Sequence, residues 1–262
     1  MAYLLVCSVA LVASSLTFFS GFGLGTLLLP AFAFFFPVEA AVAATAAVHL
    51  ANNLFKLAIV GRHADRRVLL RFALPAILAA FGGALLLTTL ADTPPLASWR
   101  IDARTFDISA VKLAVASVML AFAVVELAPS FDRLAFPPRL LPLGGAVSGF
   151  FGGLSGHQGA LRSAFLIRCG LSKQAFIGTG VASACLVDVA RLAVYASDPA
   201  GGHARAIVHA DRWPLVVAAC VAAFAGSLLG ARLLHKVTIR ALRVTVGVML
   251  GVIALLLGAG II

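Results

Sequence analysis

Charge is what this chain lacks. Its first 38 residues contain no Asp, Glu, Lys, Arg or His, and across all 262 residues only 11% are charged while 62% are hydrophobic. That balance excludes an ordinary soluble domain and indicates a polytopic membrane protein. Cysteine is also sparse. Cys7, Cys169, Cys185 and Cys220 show no Cys-x-x-Cys spacing and lie in or beside apolar segments, so they read as small packing residues rather than a metal or redox site. Met-Ala-Tyr at the start gives no basic region ahead of the first apolar run, which argues against a cleaved signal peptide. The charge that is present is lopsided, 20 Lys and Arg against 10 Asp and Glu. It sits mainly in short runs such as RHADRRVLLR at 62–71, where cytoplasmic loops usually carry it. Nucleic acid is therefore not an expected partner, whereas the lipid bilayer is.

Long apolar runs give about eight candidate transmembrane segments, at 3–36, 39–60, 70–90, 106–126, 141–167, 173–196, 213–234 and 242–262. Two of them are too long or too interrupted for one straight helix. An unbroken helix over residues 1–38 would reach roughly 57 Å, against a hydrocarbon core of about 30 Å. Gly21, Gly23, Gly25, Pro30 and Pro37 offer places to break it. A second such stretch lies between Arg139 and Arg168, interrupted by GGLSGHQG at 152–159. Pro94-Pro95 and Pro137-Pro138 mark loops.

The two broken segments occupy corresponding places in two similar halves: a first repeat at 1–125, a linker at 126–140 and a second repeat at 141–262. In each half the broken span is followed by one carrying Thr45 or Thr179, and then by NLFK (53–56) or DVAR (188–191), where a polar side chain precedes a cation by three residues on one helical face. The fold expected is an all-α polytopic membrane protein with glycine-broken helices, the pattern of a transporter with its site at the breaks. Two basic clusters, Arg62, Arg66, Arg67 and Arg71, and Arg232, Lys236, Arg240 and Arg243, both call for the cytoplasmic side, which eight simple crossings do not satisfy. Either one basic loop faces outward, or a broken segment enters and leaves on the same side and the halves are inverted.

Arg162 is the leading site residue, because a cation just after a glycine break in an apolar stretch must face a cavity, a counter-charge or an anion, unless it snorkels to the interface. Lys56 and Arg191 close the two similar motifs. Lys56 is near enough to Gly61 to snorkel, and Arg191 can form an intrahelical pair with Asp188. Asn52 and Asn53 either line a polar path or join two helices. His49 and His157 are lone imidazoles better suited to hydrogen bonding than to metal; with Asp188 they are the candidates for carrying a coupling proton. Gly226-x-x-x-Gly230 suggests a close helix contact, and His203, His209 and His235 fall in loops or at span ends.

These segments resemble the sulfite exporter TauE/SafE family, also called the TSUP permeases. The likeness covers nearly the whole chain: GFGLGTLLLP at 21–30, a small-residue second span ending near Asn and Lys, and above all GFFGGLSGHQGALRSAFLI at 149–167. Membership implies a secondary transporter of small, often sulfur-containing anions in the cell inner membrane. Read from the residues together with this resemblance, the substrate-binding set would be Arg162, Gln158, Ser155, Gly23, Gly25, Asn53, Lys56 and Arg191, with Lys56 or Arg191 assisting at an entrance, a possible coupling proton or sodium ion, a possible homo-oligomer, no cofactor, no metal and no catalytic residue. No nucleotide-binding loop is present in the sequence, in keeping with this. Two competing classes are weighed against it. Gly153-Leu154-Ser155-Gly156 with His49-x-x-x-Asn53 is similar to a rhomboid-type intramembrane serine protease, and a scaffold without transport would explain the apolar bulk but not Arg162.

Overall fold

The computed structural model describes residues 1–17, 23–102, 104–129, 134–197, 212–233 and 239–262. Gly21, His203, His209, His235 and Lys236 lie outside the described residues. The chain is an all-α polytopic membrane protein. In chain order the helices are α1 (Ala2–Thr17), α2 (Leu24–Ala33), α3 (Val38–Val60), α4 (Arg66–Ala91), α5 (Ala110–Leu127), α6 (Leu141–Ser155), α7 (Gly159–Leu166), α8 (Lys173–Ser197), α9 (Trp213–Leu233) and α10 (Ile239–Gly258). Segments Val38–His63, Arg66–Ala91, Ala110–Leu127, Lys173–Ser197 and Trp213–Gly230 are long and apolar enough to cross a bilayer. Their large side chains point outward, as Leu70, Leu74, Leu78 and Leu85 do on α4, while alanines such as Ala40, Ala41 and Ala44 fill the interior of α3. That arrangement suits a lipid solvent, where close packing rather than water exclusion draws helices together.

Both expected breaks are present. The first broken segment becomes α1 and α2, and the second becomes α6 and α7, which part at Gly156, His157 and Gln158. Three details differ from the sequence reading. Gly25 and Pro30 lie within α2 rather than in the break. The expected span at 106–126 begins later, because β1 (Ala97–Ile101) and β2 (Arg104–Ile108) form an antiparallel hairpin ahead of α5. Trp99 stacks on Phe106 and its indole N–H donates to Ala259 O (2.8 Å), so the hairpin is seated on the end of α10. Glu126, assigned to the linker, belongs to α5 and pairs with Arg243 Nε at 2.8 Å.

Close contacts fix the direction of each helix. Gly145, Gly149 and Gly153 of α6 abut the carbonyls of Phe72, Ala76 and Ala80 in step, so α4 and α6 run parallel. Gly226 and Gly230 abut Leu11 and Ser15 in the same way, so α1 and α9 are parallel and the expected Gly-x-x-x-Gly contact is real. By contrast Gly247 meets Leu127 and Gly258 meets Ala116, which makes α5 and α10 antiparallel. Gly178 meets Val60 while Asp188 meets His49, so α3 and α8 are antiparallel as well. Within the second broken segment Gly144 faces Phe165 and Ser148 Oγ donates to Gln158 O (2.9 Å), so α7 folds back along α6. Phe136 N donates to Ala164 O (3.1 Å), which sets the chain before α6 beside the end of α7. This segment enters and leaves on one side.

The same follows for the first broken segment. The hairpin returns the chain from α4 to α5, and the short connections after α3 and after α9 are too short to cross a bilayer at about 3.5 Å per residue. With these reversals α1 and α3 run the same way, so α2 must return between them. Arg62, Arg66, Arg67, Arg139, Arg168, Lys173, Arg240 and Arg243 then stand at one end of the molecule. Among the described residues, Arg100, Arg104, Lys112 and Arg212 stand at or near the other. Two fold-back segments are what let both basic clusters share a face.

The α4–α6 seam depends on missing side chains. Gly149→Val would drive a branched carbon into the Ala76 backbone, so we expect a fall in apparent melting temperature of several degrees and loss of monodisperse protein in detergent, read by fluorescence-detected gel filtration. A variant as stable as the parent would disprove the tight seam.

Candidate functional site

Near the middle of the molecule α3 and α8 cross beside the second break. His49 is the twelfth of the 23 residues of α3, which places it at mid-depth. Its Nδ1 donates to Asp188 Oδ2 (2.6 Å), while Asn53 Nδ2, one turn on, lies 3.3 Å from His49 Nε2. Asp188 Oδ1 accepts from Arg191 Nε (3.0 Å) and Nη2 (2.7 Å) and from Gln158 Nε2 (3.2 Å). Gln158 turns its other end to Arg162, whose Nη1 donates to Oε1 (3.2 Å). One glutamine thus links an arginine on α7 to a carboxylate on α8.

The sequence expectation for Asp188 and Arg191 is met by this intrahelical pair. Arg191 also donates through Nη1 to Gly152 O (3.3 Å), which accepts from Gly156 N as well, and Tyr195 Oη donates to Gly153 O, so α8 supports the carbonyls where α6 ends. Gly156 needs to be glycine twice over: its φ is +84°, and an added Cβ would stand 2.9 Å from Arg191 Nη1. Arg191 is wholly buried and held deep in the protein, not at an entrance.

Lys56 and Arg162 lie toward the basic end and are 5% and 3% exposed, which rules out snorkelling for both. Lys56 lies within electrostatic reach of Arg162. With the Asn52 amide turned to satisfy its neighbours, Oδ1 accepts from Lys56 Nζ (3.3 Å) and Nδ2 donates to Ser227 Oγ (2.7 Å). Asn52 therefore joins α3 to α9, the gluing role, whereas Asn53 faces the polar network. Around this crossing, the described residues bring three buried cations, Lys56, Arg162 and Arg191, to one buried carboxylate, Asp188. Such a surplus is costly in a bilayer and attracts an anion.

Gly23 and Gly25 bring the other break to the same place. Gly23 has φ 109° and caps the start of α2, and a Cβ on Gly25 would touch Gly156 O (3.7 Å), Thr45 Cγ2 (3.7 Å) and His49 Cδ2 (3.8 Å). Ser155 Oγ lies 3.0 Å from His157 Nδ1 and also reaches Phe151 O (3.2 Å), while the His157 ring packs on Phe122. Gly23, Gly25, His49, Ser155, His157, Gln158, Arg162, Asp188 and Arg191 therefore stand by the two breaks, with Asn53 one turn and Lys56 two turns past His49 along α3. No group of three or more His, Cys, Asp or Glu suited to a metal ion occurs among the described residues.

A search against family profiles decides the identity: the sulfite exporter TauE/SafE profile matches residues 6–257, nearly the full length. The chain belongs to the sulfite exporter TauE/SafE family. No curated protein and no solved structure matches it. TauE/SafE proteins are membrane transporters rather than enzymes, which sets the context for the polar cluster. The protease-like pattern is taken up differently in this TauE/SafE chain, with His49 committed to Asp188 and Ser155 joined to its near neighbour His157 across the break. Sequence reasoning missed Tyr195 and Ser148 as supports of the break, although a tyrosine and a serine in such apolar helices were available as signals.

Proposed function

We propose that this chain is a secondary transporter that moves small sulfur-containing oxyanions, such as sulfite or organosulfonates, across the cell inner membrane by alternating access. The observation that carries the reading is the cluster of three buried cations and one carboxylate where two helix breaks meet. Arg162, steadied by Gln158, takes the anion together with Lys56, and main-chain N–H groups near Gly23, Gly25 and Ser155 share the charge. Asn53 and Arg191 hold the frame, while His49, His157 and Asp188 are the groups through which a proton could be coupled; sodium is the alternative coupling ion.

Residues 1–125 and 141–262 act as inverted repeats in this proposal. The support lies in the partners: α1 pairs with α9 as α6 pairs with α4, while α3 with α8 and α5 with α10 pair across the halves. Rocking of the halves about the α3–α8 crossing would expose the anion to each side in turn. The basic end is the cytoplasmic one. In a cysteine-free background, Arg67→Cys should react with an impermeant maleimide only from the cytoplasmic side and Asp102→Cys only from the other; the opposite labelling would overturn this orientation.

The deciding experiment is flux into reconstituted vesicles, screening sulfite, thiosulfate, sulfonates and carboxylates. Saturable uptake of a sulfur oxyanion is expected. Flux no greater than in protein-free vesicles for every anion would sink the proposal.

A further inference from the structure

Three buried side-chain atoms among the described residues have no hydrogen-bond partner: Thr45 Oγ1, His63 Nδ1 and His157 Nε2. His63 belongs to the turn in the basic connection, where water is at hand. The other two are different, because Thr45 is 1% and His157 2% exposed and both lie at bilayer depth. An unanswered polar group there is expensive and calls for a reason.

Their position supplies one. Thr45 stands one turn before His49 on α3, and its Cγ2 lies against Gly25 in the first turn of α2. Gly25 in turn touches Gly156 O, next to His157. At this junction α2 and α7 both begin, and their cap residues Gly23 and Gln158 give no side-chain bond to the first turn. Two helix N-termini therefore bring first-turn N–H groups and positive dipole ends beside Thr45 and His157. To meet an anion, Ser155 gives its single hydroxyl proton to His157 Nδ1 rather than to Phe151 O, so that the ring carries its proton on Nε2 and is a donor there.

We propose that the anion site continues past Arg162 into a second position at this junction, in which Thr45 Oγ1 and His157 Nε2 join the first-turn N–H groups of α2 and α7 in holding a small pyramidal or tetrahedral oxyanion. It rests on the transporter reading above and adds a path to it. Arg162 lies on α7 toward the basic end, whereas Thr45 and the tip of the fold-back lie farther along, so an anion leaving Arg162 meets this subsite next. Neutral donors hold it less firmly than a guanidinium, which permits release onward.

The test is sulfite uptake into vesicles by the full chain, comparing the parent with Thr45→Val, Thr45→Ser and His157→Leu. Thr45→Val keeps the shape and removes only the hydroxyl. Both Thr45→Val and His157→Leu should raise the half-saturation concentration about tenfold or more, and Thr45→Ser should restore it. Thermal unfolding in detergent reports folding separately; if His157→Leu does not fold, His157→Gln, which keeps an N–H donor, is read instead and should stay within about threefold of the parent. Parent-like half-saturation in Thr45→Val, or failure of Thr45→Ser to rescue it, overturns the subsite while leaving the transporter standing. Absence of sulfite uptake by the parent overturns both.

Discussion

Arg162→Leu should reduce sulfite uptake at low substrate by about a hundredfold, because it removes a buried charge contact that neutral groups cannot replace. It should not reduce the amount of folded protein. Among the described residues Arg162 shares its surroundings with Lys56 and Arg191 and the carboxylate of Asp188, so deleting one cation relieves repulsion and leaves Gln158 still bonded to Asp188. This separation of function from stability is what makes the variant informative. Arg162→Lys keeps the charge and loses the planar fork, and an intermediate rate is expected of it. Undiminished flux in Arg162→Leu with the parent half-saturation would remove this residue from the site.

Asp188→Asn should have the opposite character and fail mainly by loss of folded protein. The carboxylate accepts from His49, Gln158 and Arg191 at once and is wholly buried. Without it Arg191 would be an uncompensated charge at mid-depth, a defect that typically costs about 3–5 kcal/mol. Little monodisperse protein should survive extraction. Because removing both members of such a pair is far milder than removing one, Asp188→Leu combined with Arg191→Leu should recover much of the yield. If the single variant is as stable as the parent, or if the double variant is no better than the single, the network is not what holds α3 and α8 at this crossing.

The breaks could be read from sequence because an absence of charge and a cluster of glycines are local signals: Gly23 and Gly156 do sit where the helices part. Arg162 was legible for the same reason, as a cation where a bilayer segment tolerates none without cause. What could not be read were the partners. Asp188 looked like the private counter-ion of Arg191, but it is equally the partner of His49, 139 residues earlier, and no spacing rule reaches so far. Thr45 served only as a marker of the repeat, and its isolation became visible only once every neighbour was in position. The hairpin at 97–108 was hidden because the alternation in ASWRI and RTFDI is too short to compete with the apolar run that follows. The side on which each segment ends was undecidable until the fold-back was seen, since hydropathy measures length and not direction.

The parallel seams have a consequence for how the chain is made. α1 leaves the ribosome long before α9, yet the surface that receives Leu11 and Ser15 is carried by Gly226 and Gly230 of α9. Until α9 has been synthesised, α1 lacks the surface that seats it and is held to the rest mainly through α2, which packs on α3. Maturation is thus a late closing of α1 onto α9, and a helix made early waits for its seat until the second repeat is nearly finished.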